Sequence, residues 1–539
     1  MPIRMTDDQQ DQPEQFNDDG GGGNRGGGGG IGGGGGGLLA FLPLLFRIFG
    51  FKGVLIIAAI GIGAYFFMGK GGCGNIVSQA SQGLLATGGN LDPQQFAKAN
   101  IYESLEEDNA KNPLPEATNL QRYAPAVGDQ GQQGSCVAWS SAYGARTILE
   151  ASRSGQNADQ LKFSPSFLYN QIGEEGCQGS FINKAMEFMT KQGSVPYNEF
   201  PYDDQNCTNQ PDNSLVLQAG QFKMRGYNRL TKGDNTDEID LHAIKENLAQ
   251  GAPVVIGMMV GGSYMQSMMG KDAWYPEPGD ENMMGFGGHA QCVVGYDDKK
   301  YGGSFLIMNS WGPKWGNNGF AWVRYPDFKT FVREAYGLEP MSKMGAAANA
   351  QFACEVGLVE VQFDGKHTVS KGYIPLKLTA ANRFENTTPV KLGTRFKMEV
   401  KNTTECYTYI FGKETDGTSY TLFPYPNPSN PSTTKYAPFC GITGYRLFPK
   451  DKSLEPDSVG TKDMMVIVVS KRPLDWYKIN QTISQQPQTD YATRVANTFR
   501  SGNASGVQYQ TTSTGMIKFE GPASDNQVAT CIVEINKQK

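Results

Sequence analysis

Cys136 closes the stretch Asp-Gln-Gly-Gln-Gln-Gly-Ser-Cys, and Gln130 stands six residues before it. Gly288-His289 and Asn309-Ser310-Trp311-Gly312 come much later. Few chemistries ask for Gln, Cys, His and Asn in that order. Thiol-based acyl transfer does, because it needs a thiolate, a base to hold the proton and a group that orients the base. Cys136 opens a predicted helix over 136–152, whose apolar positions include Val137, Ala138, Ala142, Ile148 and Leu149. A helix N-terminus lowers a thiol pKa. Gln130 is placed to donate to a developing oxyanion beside the Cys136 backbone N–H. His289 begins an apolar strand and Asn309 ends another, so the amide can fix the imidazole tautomer. Trp311 can cover that bond and exclude water.

The length of 539 residues is too great for one core and implies two folded domains with non-globular segments. Lys and Arg total 48 against 53 acidic residues, and no basic stripe suggests nucleic acid. Nine cysteines do not make a disulfide-dense scaffold, and no Cys/His cluster has zinc spacing, so no metal or other cofactor is expected. With only three histidines, the position of His289 is informative; His242 and His367 read as surface residues.

Residues 1–37 are polar and then nearly pure glycine, a composition that cannot offset ordering entropy and reads as a disordered tail. Residues 38–70 are the most apolar stretch. The uncharged run 53–68 reaches a spanning length when it starts at Ile48 and Lys52 snorkels, which reads as one transmembrane helix. Arg47 and Lys52 before the run weigh against Lys70 after it. The bias places the N-terminus inside and the bulk of the chain outside a single-pass membrane anchor. Residues 71–113 read as a polar linker with a short amphipathic helix around 95–107. A globular α+β domain is expected over 114–345, with strands at 253–260, 290–296, 304–308 and 321–325 and further helices at 181–192 and 241–250. Residues 346–539 alternate like strands, as at Phe396, Met398 and Val400, and read as a β-sandwich with one helix near 491–500.

The motifs over roughly 114–325 resemble those of the papain-like cysteine peptidases. Leu114-Pro115-Glu116 is similar to the mature-domain start, and Gln130 and Cys136 to the oxyanion glutamine and nucleophile. Ser164-Pro165-Ser166-Phe167-Leu168 is similar to the segment after the central helix. Gly176-Cys177-Gln178-Gly179-Ser180 is similar to the wall of the substrate cleft, with Pro201-Tyr202 and Cys207 also in family order. His289, preceded by Gly288, corresponds to the base. Asn309-Ser310-Trp311-Gly312, together with Trp315, Gly316, Asn318 and Gly319 after it, corresponds to the orienting asparagine and its surroundings. The resemblance implies a helical lobe and a barrel-like lobe with a cleft between them. It also implies hydrolysis of peptide bonds in a peptide or protein substrate. Gly179, Ser180, Gly257, Gly288 and Trp311 would line the substrate site, with Gly257 leaving the specificity pocket roomy. The C-terminal region, on residues 393–400, 407–411, 422–424 and 466–470, is similar to an accessory β-domain found in bacterial proteins. A partner protein or surface ligand is its default role.

The chain departs from the pattern in places. Gln133 and Val137 stand where the family has Cys and Trp, so one family disulfide cannot form, and Cys177 is expected to pair with Cys207 instead. Ser180 replaces a glycine. His289 lies 153 residues after Cys136, and the added length falls in 261–287, whose methionines either line the cleft or pack on the surface. The segment before the domain is short for an inhibitory propeptide. Cys354, Cys406, Cys440 and Cys531 are expected to form two disulfides, and Cys292 to be core. The reading is a membrane-anchored, extracytoplasmic bacterial cysteine peptidase. The alternatives are an inactive binding or adhesion scaffold on the same fold, and another Cys-dependent acyl transferase.

Overall fold

The computed structural model describes residues 3–7, 87–342, 351–364, 368–487, 490–524 and 526–538. The tail over 8–37, the membrane span expected at 38–70, and His367 lie outside the described residues. Among the described residues no helix is long and apolar enough to cross a membrane.

The first lobe of the N-terminal domain is helical. Its central helix covers Cys136–Ala138, Trp139–Arg146 and Thr147–Ser154 in succession, and the middle stretch is wound as a π-helix. Such over-wide turns are frequent at functional sites. Ile182–Lys191 lies alongside and buries Ile182, Ala185, Met186 and Met189 at helical spacing. The second lobe is an antiparallel sheet in the order Tyr227–Arg229, Val332–Leu338, Val254–Val260, Gly287–Asp297, Ser304–Met308, Phe320–Arg324, with Ala273–Trp274 added in parallel at one edge. Val254–Val260 and Gly287–Asp297 read as continuous apolar runs because both faces are covered. The helices at 136–154, Ile182–Lys191 and Leu241–Ala249 and the four strands arise within a few residues of their expected positions.

The C-terminal domain is a sandwich. One sheet centres on Gln351–Phe363, between Arg395–Asn402 and Ile517–Pro522; the other centres on Lys462–Ser470, between Cys406–Lys413 and Val528–Gln538. Phe352, Val356 and Leu358 of the first sheet meet Ile410, Ile467 and Val533 of the second in one apolar core. Two helices, Trp476–Gln485 and Tyr491–Thr498, cover the outer face through Ile483 and Val495, where one helix was expected. Cys354, Cys406, Cys440 and Cys531 are buried free thiols, so the two expected disulfides are absent; these side chains fill the core as small apolar groups. Part of the tail expected to be disordered is ordered: Ile3–Asp7 pairs antiparallel with Lys452–Pro456 and extends an open sheet edge.

The segment expected to be a linker is a strap. Among its described residues only Pro93–Phe96 is helical, capped by Asp92, whose side chain accepts from Gln94 N at 2.8 Å. Beyond it the chain runs extended between the two domains, and Ile101, Tyr102, Glu103, Ser104 and Leu105 are all buried. Consecutive burial suits a strand pressed on both sides, which overrides the amphipathic helix expected there. Ile101 N donates to Lys435 O (2.6 Å), Tyr102 N to Arg229 O (3.1 Å) and Glu106 N to Tyr445 O (2.8 Å). Arg446, almost wholly buried, donates to Glu103 O (2.9 Å), Asn402 Oδ1 (2.8 Å) and Ile442 O (2.8 Å). Removing such a cation strands buried acceptors in an interior that has no water to replace it. Arg446→Met is therefore expected to lower stability by about 3 kcal/mol in urea unfolding. Lys401→Met, on a half-exposed neighbour, should cost less than about 0.5 kcal/mol.

Candidate active site

The two lobes bring the four residues singled out in the sequence to one place. Cys136 heads the central helix, and its Sγ accepts from the backbone N–H of Ala290 at 3.3 Å, one residue after His289. His289 and Asn309 sit on adjacent strand ends, with Nε2 and Oδ1 2.8 Å apart. The same Oδ1 accepts from Ser310 N at 2.8 Å, which fixes the amide with its oxygen toward the imidazole. Nε2 then carries the hydrogen, and Nδ1 is left bare; it has no hydrogen-bond partner. Trp311 stacks on His289 with centroids 4.3 Å apart and planes 19° from parallel. Tyr264, Trp274 and Trp315 form an aromatic wall behind that pair.

Gln130 is fully buried. Its Nε2 donates to Gln133 O (2.9 Å), its Oε1 accepts from Ser310 Oγ (2.7 Å), and its carbonyl accepts from Tyr202 OH (2.8 Å). Tyr202 OH also bonds Ser135 Oγ at 2.6 Å, next to Cys136. Neither Ser310 nor Tyr202 was expected as a positioning residue from the sequence, though both lie inside the motifs quoted above. Cys177 is bonded to Cys207, closing a separation of 30 residues. In the methionine-bearing segment 261–287, Met268 is buried and its carbonyl accepts from Gly316 N at 2.9 Å, while Met269 and Met284 face solvent.

The cleft holds the chain's own residues 87–92. Gly89 N donates to Gly288 O (3.0 Å), Asn90 N to Ser180 O (3.0 Å), and Ser180 N to Gly88 O (3.0 Å), a parallel bridge between Gly89 and Ser180. Gly88 has a φ of +147°, and a Cβ there would lie 2.1 Å from Gly134 O, so only glycine lets the backbones approach this closely. Leu91 sits against Gly257 and Gly288: Cβ atoms there would come within 2.4 Å and 2.9 Å of its side chain. Glu334 closes this pocket. Its Oε1 accepts from Asp92 N (2.9 Å) and its Oε2 from Tyr336 OH (3.1 Å), and burial pushes its carboxyl up to about 7. No sequence signal had marked Glu334.

Burial sets the electrostatics. Cys136 and His289 are both without solvent contact. Burial pushes the thiol up to about 12, against the opposing pull of the Ala290 N–H, and holds the imidazole down at about 4 despite the Asn309 bond. From the sequence, the helix N-terminus was expected to lower the thiol; desolvation outweighs it in the covered cleft. Among the described residues no group of three His, Cys, Asp or Glu side chains is arranged to hold a metal ion.

A thiol at a helix start and an amide-anchored imidazole facing it across two lobes flank a cleft that already holds extended polypeptide. Residues 114–335 match the family described as papain family cysteine protease. Mouse (Mus musculus) cathepsin K is 30% identical over 214 residues, 39% of this chain and 59% of that protein. An uncharacterized peptidase C1-like protein of Acanthamoeba polyphaga mimivirus is 32% identical over 199 residues, 36% of this chain and 62% of that protein. The chain thus spans about three fifths of the length of these curated relatives. Among solved structures, xylellain, a cysteine protease from Xylella fastidiosa, is 24% identical with a TM-score of 0.39, covering 48% of this chain and 97% of that one.

The imidazole shift carries a pH dependence. A histidine held down at about 4 when covered, against 6.5 when free, favours the covered state above pH 6.5, and that contribution is lost as pH falls toward 4. Amide exchange at Gly89 and Asn90, corrected for intrinsic rates, is expected to speed up over that window and to stay flat in His289→Gln.

Proposed function

We propose that this chain is a latent cysteine peptidase whose cleft is closed by its own residues 87–92. The observation that carries the reading is the His289–Asn309 bond beside Cys136, in a cleft already paired with extended backbone. In the open cleft, Cys136 gives its proton to His289 Nδ1 and the thiolate attacks a substrate carbonyl. Gln130 Nε2, released from Gln133 O, and the Cys136 N–H stabilise the oxyanion. The imidazolium, oriented by Asn309, returns the proton to the leaving amine; water then hydrolyses the thioester and restores the thiol. Extended peptides are the substrates, held by Gly179, Ser180 and Gly288. A leucine-sized side chain takes the place of Leu91 against Gly257.

The closed state resists this chemistry for two reasons. Both the thiol and the imidazole are driven to their neutral forms, and the Gly88 carbonyl is bonded to Ser180 N rather than to Gln130. The reading also has the domain tethered through the apolar residues 38–70 and facing outside a bacterial cell, on the charge pattern around that run. Full burial of Cys136 favours one rival, a domain that binds through this fold without turnover.

Peptide hydrolysis separates the two. Gly88→Val, which overpacks the crossing at Gly134 by about 1–3 kcal/mol, is expected to raise the rate on a leucine-bearing peptide about tenfold. Cys136→Ala should abolish it in either background. An unchanged rate in Gly88→Val, with the segment shown to be displaced, would leave the non-catalytic reading standing. Products from reactions with an added amine distinguish hydrolysis from transpeptidation.

A further inference from the structure

The cleft wall that carries Ser180 is a short turn in a costly conformation. Gly176, Cys177 and Gly179 have φ values of +73°, +61° and +83°. Cys177 is thus a non-glycine residue in the left-handed region, which persists only where its surroundings hold it there. The disulfide to Cys207 ties its side chain. Its carbonyl and the two residues after it need another support.

Tyr169 supplies that support. It lies in the helix Pro165–Ile172, whose start is capped by Ser164, with Oγ accepting from Phe167 N at 2.9 Å. Tyr169 is fully buried. A phenol hydroxyl has one proton to give and lone pairs to receive with, and both are used. It donates to Cys177 O (2.8 Å) and accepts from Gly179 N (3.2 Å). Gly179 O accepts in turn from Glu174 N at 2.9 Å. Both backbone groups of Gly179 are therefore fixed, and the next residue is Ser180. Burial pushes the Tyr169 hydroxyl up to about 12, so it remains a neutral donor around neutral pH.

Ser180 offers its two backbone groups to extended chain. Its N–H donates to Gly88 O and its carbonyl accepts from Asn90 N, each at 3.0 Å. A peptide that takes the place of residues 87–92 meets the same two groups. Any shift of the wall alters both bonds together. These bonds are remote from the bond that is cut, so they act alike on bound substrate and transition state.

We propose that Tyr169 is a positioning residue for the substrate: its hydroxyl holds the Ser180 edge where an extended peptide pairs with it, and so sets how tightly peptides bind rather than how fast they are cut. The role toward substrate rests on the peptidase reading; the support of the edge does not.

Tyr169→Phe removes one oxygen, keeps the ring, and leaves Cys177 O and Gly179 N without that partner. Tyr143→Phe is the comparison. Tyr143 is also buried in the helical lobe, but its hydroxyl donates to Ala126 O (2.7 Å) and not to the wall. Two readouts use the full chain. In Cys136→Ala, Tyr169→Phe is expected to speed amide exchange about tenfold at Ser180 and Asn90 as well as at Gly179, and Tyr143→Phe to leave all three unchanged. With the cleft opened by Gly88→Val, Tyr169→Phe is expected to raise KM for a leucine-bearing peptide about tenfold with kcat within about twofold, by the same factor on either side of neutral pH. Faster exchange at Gly179 alone reports a lost bond without movement of the edge and overturns the support. A kcat that falls as far as kcat/KM, or an unchanged KM, overturns the role toward substrate. If Gly88→Val hydrolyses no peptide, that role falls with the peptidase reading, and exchange alone decides whether Tyr169 holds the edge.

Discussion

A thiol and an imidazole that are both shut away from water are both neutral, and this condition governs the rest of the molecule. The four candidate residues are already together: the imidazole is anchored at 2.8 Å by Asn309, and Gln130 is held on three sides. What is missing is solvent and charge. Six residues of the same chain lie in the cleft beside the thiol and imidazole, and four backbone hydrogen bonds with one leucine in a glycine-walled pocket hold them there. Desolvation here exceeds the favourable field of a helix N-terminus, which is worth about 1 kcal/mol at a typical site.

So short an insert has no helix of its own; Pro93–Phe96 follows it. Its position is determined by the next stretch of chain, the strap 101–112 buried between the domains. The sandwich contributes Arg446, Lys435 and Tyr445 to that grip, and Lys111 and Ser104 of the strap bond Glu399 and Lys450 of the sandwich in return. The second domain is therefore part of the device that closes the first, and its contribution lies in held geometry rather than in any reactive group.

The site was legible in the sequence because each reactive residue sits in its own short motif at a forced backbone position. Cys136 needs the tight Gly134-Ser135 entry, and His289 and Asn309 need the ends of apolar strands. The strands of the sheet lobe were equally plain, since covered strands read as unbroken apolar runs. The strap was not, because consecutive buried residues such as Ile101, Tyr102 and Leu105 show neither the period of a helix nor that of a half-exposed strand. The Gly88-Gly89 pair was the one local hint of a close backbone approach. Pairing of Ile3–Asp7 across more than 440 residues leaves no local trace either. The four sandwich thiols looked like disulfide partners by number, yet each takes a buried place in the sandwich core.

The most direct measurement is alkylation of the intact chain by a peptidyl epoxide, with the labelled cysteine located by mass spectrometry at neutral pH, before and after displacement of residues 87–92 by Leu91→Asp. Slow labelling of the closed chain is expected. Once Leu91 no longer fills its pocket, labelling should be fast, confined to Cys136, and lost when His289→Ala is added. Equal labelling of Cys136 in both forms, or none in either, would contradict a cleft held shut by its own chain.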